Sequence, residues 1–198
     1  MQLELLQGPL FRGGGVFPEL ALFNCSSCHD SSMQRPEWRR RMMTQLQAPG
    51  TVPLNDAYWR MSWLIERAID PPEGARILSQ AQGLQRAVLT SRDAVVSQAG
   101  EFVGTLRRAE QRMANQVWTT PQSSSLLDSM LMAASDGEFR DYLGAEQAVM
   151  AIELLLLDSG QAARLRPQLD TLYRLVKDVD AYRSADFIAG VKALRAAL

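Results

Sequence analysis

The sequence predicts an all-α fold. Apolar residues recur at spacings of three and four through much of the chain, no alternating apolar–polar run marks a strand, and cap and stop residues bracket helix-length segments. The 198 residues are 46% apolar and 22% charged, which supplies a core and excludes a wholly disordered chain. With 21 basic and 22 acidic residues the formal net charge is −1. That balance gives no electrostatic reason to expect nucleic acid or an anionic membrane as partner. No segment reaches the about 18 consecutive apolar residues of a membrane span. The strongest run, residues 148–157, contains Glu153.

Residues 1–18 read as a loop or covering arm, broken by Pro9, Gly13, Gly14, Gly15 and Pro18 and anchored by Phe11 and Phe17. A short helical stretch is expected from Glu19 into Cys28. A second helix is expected over residues 36–47, with Pro36 at its first position and Pro49-Gly50 as its stop. Asn55 is a good cap for a third, over residues 56–70, which carries Trp59, Trp63, Leu64 and Ile69 before Pro71-Pro72 closes the section.

Over residues 73–118 the apolar series Leu84, Val88, Val95, Ala99, Phe102, Leu106, Ala109 and Met113 predicts one long helix or two nearly collinear ones. Ser91 fills its seven-residue gap, and a break near Gly100 is expected. Residues 119–125 read as a polar connection, followed by a helix capped by Ser124 or Ser125 that ends near Ala134. Asp136 is the expected cap of the next, which stops at Gly160. Its centre, residues 151–157, is apolar nearly all round and reads as the core helix of a bundle. Two more helices are expected over residues 161–178 and 184–197, with Pro167 starting or kinking the first. The expected organisation is a small N-terminal section, residues 1–71, followed by an antiparallel helical bundle, residues 72–198.

The chain holds two Cys and one His, and all three lie in Cys25-Ser26-Ser27-Cys28-His29. These counts exclude a disulfide-dense scaffold, a four-Cys cluster, a Cys₂His₂ finger and a His₂–carboxylate zinc site within one chain. Cys-x-x-Cys-His is the c-type haem attachment pattern. Two thiols three residues apart can add to the two vinyl groups of one porphyrin, and the adjacent His supplies an axial nitrogen to the iron. Two other readings stay open. One is a structural or redox-active thiol pair, without the βαβ pattern of a thioredoxin-like fold. The other is zinc held by Cys25 and Cys28 with carboxylates or a second chain, where the adjacency of Cys28 and His29 makes joint ligation awkward.

Gly15-Val16-Phe17, followed by Phe23-Asn24-Cys25-Ser26-Ser27-Cys28-His29-Asp30, resembles the start of a class of small c-type cytochrome domains. In some of these the motif is followed by a Trp-centred helix with an Arg-Met pair and by a last helix with aromatics. Glu37-Trp38-Arg39-Arg40-Arg41-Met42-Met43 and Tyr58-Trp59-Arg60-Met61-Ser62-Trp63-Leu64 fit that outline loosely. The resemblance covers at most residues 15–70, and only the five-residue motif is specific. It implies one covalently attached haem c, held by Cys25 and Cys28 with His29 on the iron. The motif-to-end distance is short for a complete cytochrome domain, and no Met-Pro loop is visible.

A single His excludes a bis-His haem within one chain. The sixth ligand is then a Met, or the position is open. Met33 lies too close to His29 to reach the other haem face, which leaves Met43, Met42 and Met61 as ranked alternatives, each of which also reads as core filling. Arg39-Arg40-Arg41 reads as a solvated helix face or as a contact for haem propionates or an acidic partner. Trp38, Trp59 and Trp63 read as haem-pocket walls or as the core of a small helical section.

The function these observations imply is electron transfer by a monohaem cytochrome, more a carrier than a catalyst, docked to a redox protein partner or complex. The competing reading is a haem-free helical adaptor with Cys25 and Cys28 as free or redox-active thiols. The start Met1-Gln2-Leu3-Glu4 lacks a basic n-region and an apolar h-region. The haem reading expects a periplasmic protein whose export signal is absent from this chain, and the adaptor reading a cytoplasmic one. Only Lys177 and Lys192 are lysine, a bias of GC-rich bacterial genomes.

Overall fold

The computed structural model describes residues 2–13, 22–23 and 53–198. Among the described residues it is all-α, with nine helices and one isolated β-bridge between Phe23 and Leu54. The chain divides into two compact units. Of the described residues, 2–13, 22–23 and 53–116 belong to the first and 117–198 to the second.

The first unit is built on α3 (Ala57–Ile69), α4 (Pro71–Ala87) and α5 (Arg92–Asn115). Asn55 Oδ1 accepts the backbone N–H of Ala57 at 3.3 Å, as its cap role requires. Pro71-Pro72 opens a helix and does not close a section. Asp70 accepts the N–H of Glu73 at 3.3 Å, and Pro71, which has no N–H, occupies a first-turn position where that donor would have no helical partner. The turn is tight enough that a Cβ on Gly74 would stand 2.7 Å from Arg67 Cα. The expected boundary after residue 71 therefore falls between two helices packed in one unit. Among the described residues the division lies between Gln116 and Val117.

Residues 73–118 form a helical hairpin, not one rod. The seven-residue gap in the apolar series is the turn between α4 and α5. Ser91 in that gap is the cap of α5, accepting the Ala94 N–H at 3.1 Å. The chain doubles back so that a Cβ on Gly83 would lie 2.7 Å from Gln98 Oε1. Gly100 sits inside unbroken helix, since tertiary packing overrides its weak propensity. The core joins Trp59, Trp63 and Leu64 of α3, Ile77, Ala81 and Leu84 of α4, and Val95, Ala99 and Phe102 of α5. The N-terminal arm contains two single-turn helices, α1 (Gln2–Leu5) and α2 (Pro9–Arg12), both against α5. Leu3, Leu6 and the expected anchor Phe11 are buried.

The second unit holds α6 (Thr120–Ser135), α7 (Tyr142–Asp158), α8 (Arg166–Leu175) and α9 (Ser184–Ala196). Helix α6 starts four residues before Ser124. Gln122 Oε1 accepts both the backbone N–H (3.1 Å) and the hydroxyl (2.9 Å) of Thr119, and Pro121 sits in the first turn. Asp136 ends α6. The cap of α7 is Asp141, which accepts the Gly144 N–H at 2.7 Å. Gly160 adopts φ +71 just beyond α7, the left-handed stop the sequence predicts. Pro167 stands in the first turn of α8 and starts that helix.

Each of the four helices packs against two others in a closed ring, α6 on α7, α7 on α8, α8 on α9 and α9 on α6. The core contains Met130, Leu131, Ile152, Leu156, Leu169, Leu172, Phe187 and Val191. Helix α7 is thus a wall of the ring and not its axis, and the described residues of the ring cover only one of its faces. Leu154 and Leu157, expected in the core, are 65% and 58% exposed, and Met150 beside them is 54% exposed. None of the described helices is long and apolar enough to cross a membrane.

Candidate functional site

Cys25, Cys28 and His29, together with Met33, Trp38, Arg39, Arg40, Arg41, Met42 and Met43, lie outside the described residues. The residues described on either side of segment 24–52 are paired. Phe23 bridges Leu54, and the Asn55 N–H donates to the Leu22 carbonyl at 3.0 Å. Gln85 of α4 secures this closure. Its Oε1 accepts the Leu54 N–H at 2.9 Å and its Nε2 donates to the Leu54 carbonyl at 3.2 Å. The side chain thus satisfies both main-chain polar groups of a residue that is itself buried, an amide acting as a strand partner. Holding together the ends of a segment of about 30 residues costs entropy, and this clasp offsets it two residues before Cys25.

The next polar pair is Asp56 and Arg60. Both are buried, and the Arg60 guanidinium donates to Asp56 Oδ1 one turn back on α3. An ion pair removed from water is costly to assemble and more costly to break, so it fixes the start of α3. Met61, the one ligand candidate among the described residues, follows Arg60 and is half-buried. Trp59 and Trp63 are buried with the core, Trp59 edge-on to Phe102 at 5.5 Å between ring centroids. The Arg67 guanidinium lies 5.1 Å from the Trp63 ring centroid.

Further along α3 stands Glu66, with a side-chain exposure of 0%. Its Oε2 accepts from Nε (3.1 Å) and Nη2 (2.8 Å) of Arg112 on α5. Its Oε1 is buried and has no hydrogen-bond partner among the described residues. Glu73 of α4 stands 3.7 Å from the same Nη2. One guanidinium therefore ties α3, α4 and α5 together. Its hydrogen bond to Glu66 holds the Arg112 pKa above its ordinary value, with burial opposing.

In the second unit, Glu153 of α7 links to α8. Tyr173 donates its hydroxyl to Glu153 Oε2, and Arg166 Nη1 reaches Oε1 at 3.2 Å. Burial, and then the hydrogen bond to Glu153, push the Tyr173 pKa up to about 12. Arg166 also pairs with Asp170 at 2.8 Å. Glu138, Arg140 and Asp141 are buried in the connection between α6 and α7.

Sequence reasoning passed over Gln85, Glu66 and the Asp56–Arg60 pair, although each left a signal. Gln85 lies in the apolar row Ala81, Leu84, Val88; Glu66 continues the row Trp59, Trp63; Asp56 and Arg60 stand four apart with the acid first. Among the described residues, no group of three or more His, Cys, Asp or Glu side chains is placed to hold a metal ion. No protein-family model, curated protein or solved structure matches the chain.

Proposed function

We propose that the chain is a monohaem c-type cytochrome that carries electrons as a subunit of a larger redox assembly. One observation carries this reading: the only two Cys and the only His form the single motif Cys25-Ser26-Ser27-Cys28-His29. The donor set fits the group. Two thiols at the attachment spacing account for covalent linkage, and one imidazole-bearing residue, His29, accounts for the proximal ligand. When bound, haem accepts and returns one electron. The chain's own contribution is to attach the porphyrin through Cys25 and Cys28, to ligate iron through His29, and to offer Met43, Met42 or Met61 for the sixth position. A thioether there sets a higher potential than a second imidazole. Export to the periplasm goes with this reading.

A second reading is favoured by the exposed apolar residues of α7. The chain is then a haem-free helical adaptor whose thiols are free or redox-active.

The experiment is expression of the full chain behind an export signal in a host with c-type haem maturation, followed by denaturing electrophoresis and peroxidase staining for haem. The cytochrome reading expects stain that stays with the chain after denaturation and is lost in Cys25→Ser/Cys28→Ser. A soluble, folded chain without retained haem overturns it and leaves the adaptor.

A further inference from the structure

We infer that the outer face of α7 is a docking site for a basic amphipathic helix of a partner protein. Leu143, Gln147, Met150, Leu154 and Leu157 follow one another at intervals of four, three, four and three. That alternation is the 3.5-residue seam along which one helix packs into another. It lies opposite Ala148, Val149, Ile152 and Leu156, which are buried in the ring of four helices. A wall helix needs one apolar face, and α7 carries two. Met150, Leu154 and Leu157 remain more than half exposed on the second. Gln147 is the single polar member of the seam, the kind of position that fixes register at some cost in strength. Met150 adds a side chain that adapts to varied partners.

The borders of the seam select the occupant. Glu146 and Glu153 flank it on one side and Gly144, Ala151 and Asp158 on the other, and α7 contains no Lys or Arg. Glu153 is engaged by Arg166 and Tyr173, so Glu146 and Asp158 set the sign. A second copy of α7 offers Glu146 and Asp158 only Gly144, Ala151 or Glu153 in either orientation, and no cation. An anionic bilayer is repelled by the two carboxylates and finds no cation on the helix. A helix with a leucine-type seam and Lys or Arg borders meets neither obstacle.

The test uses the full-length chain and two synthetic helices of about three heptads, identical in their leucine seam, one bordered by Lys and the other by Glu. Fluorescence anisotropy at low salt should show the Lys-bordered peptide binding at least about tenfold more tightly, with affinity falling as salt rises. Leu154→Ser/Leu157→Ser should abolish that binding with circular dichroism unchanged, and Glu146→Lys/Asp158→Lys should reverse the preference. Equal binding of the two peptides, or of neither, overturns the inference. So does a concentration-dependent dimer in sedimentation velocity, or adsorption to phosphatidylglycerol vesicles, that the double serine variant removes.

Discussion

The two units are held by different means. In the first, polar groups reach into the packing: Gln85 clasps Leu54, Arg60 pairs with Asp56, and Arg112 spans Glu66 and Glu73. In the second, the ring of α6 to α9 closes on an apolar core, its buried charges Glu138, Arg140 and Asp141 lie in the connection between α6 and α7, the network of Glu153, Tyr173 and Arg166 links α7 to α8 at the rim, and one wall keeps an exposed apolar seam. Apolar burial is strong but non-directional. Buried hydrogen bonds and ion pairs are directional and penalise any other arrangement. The first unit therefore fixes geometry at the two ends of the segment that carries the Cys and His residues. The second closes a ring of helices and leaves an apolar face of α7 exposed.

The sharpest way to break this contrast is Arg112→Met. It leaves the Glu66 carboxylate buried without its cation, and we expect a loss of about 3 kcal/mol in urea unfolding, the low end of the range because Arg112 is 33% exposed. The double variant Glu66→Gln/Arg112→Met should recover most of that loss, since no charge is then stranded. A single-variant loss below about 1 kcal/mol would show that the pair behaves as a surface bridge and would erase the distinction between the units.

Gln85→Leu comes next. It keeps the volume and removes both bonds to Leu54, for an expected cost of about 2 kcal/mol. Hydrogen exchange at the Leu54 and Asn55 amides should accelerate more than exchange within α9. Uniform acceleration across both units would mean that Gln85 does not act as a local clasp.

Tyr173 tests the rim network. Its folded pKa, about 12, lies above the ordinary value of 10, so folding favours the neutral phenol. That contribution is complete below about pH 10 and disappears as pH climbs toward 12. The melting temperature of the wild type should accordingly fall more steeply over this window than that of Tyr173→Phe, and ultraviolet titration should show one late tyrosinate. Parallel melting curves would contradict the assignment.

The smallest effect is expected at the seam. Leu154→Ser/Leu157→Ser should change stability by no more than about 0.5 kcal/mol, because both side chains already face water. A larger loss would mean that the seam is core after all.

Much of the fold was legible because local chemistry decided it. Gly160 stops α7, Pro167 starts α8 and residues 184–196 are helical because cap, stop and apolar row agree. Elsewhere one residue type serves two roles. Pro71-Pro72 reads equally as an ending or as a first turn, and Asp136 and Asp141 are both capable caps. Ser91 in a gap of the apolar row reads as a polar interruption until the hairpin shows it to be a cap. These choices are settled by which helices pack together, which no local window contains. The uncovered face of α7 escaped notice for a related reason. An all-apolar helix says that it wants burial, but not how many neighbours it has. For the candidate site the motif is legible by residue type alone, whereas the clasp around segment 24–52 depends on contacts 31 residues apart.

Peptide mass mapping gives a direct test of the proposed covalent haem on Cys25 and Cys28. The full chain, exported in a host competent for c-type maturation, should yield a proteolytic peptide spanning both residues that is heavier by one haem, with both thiols blocked to alkylation. The same peptide at its unmodified mass, with two alkylatable thiols, would show that no haem is attached and overturn the cytochrome reading.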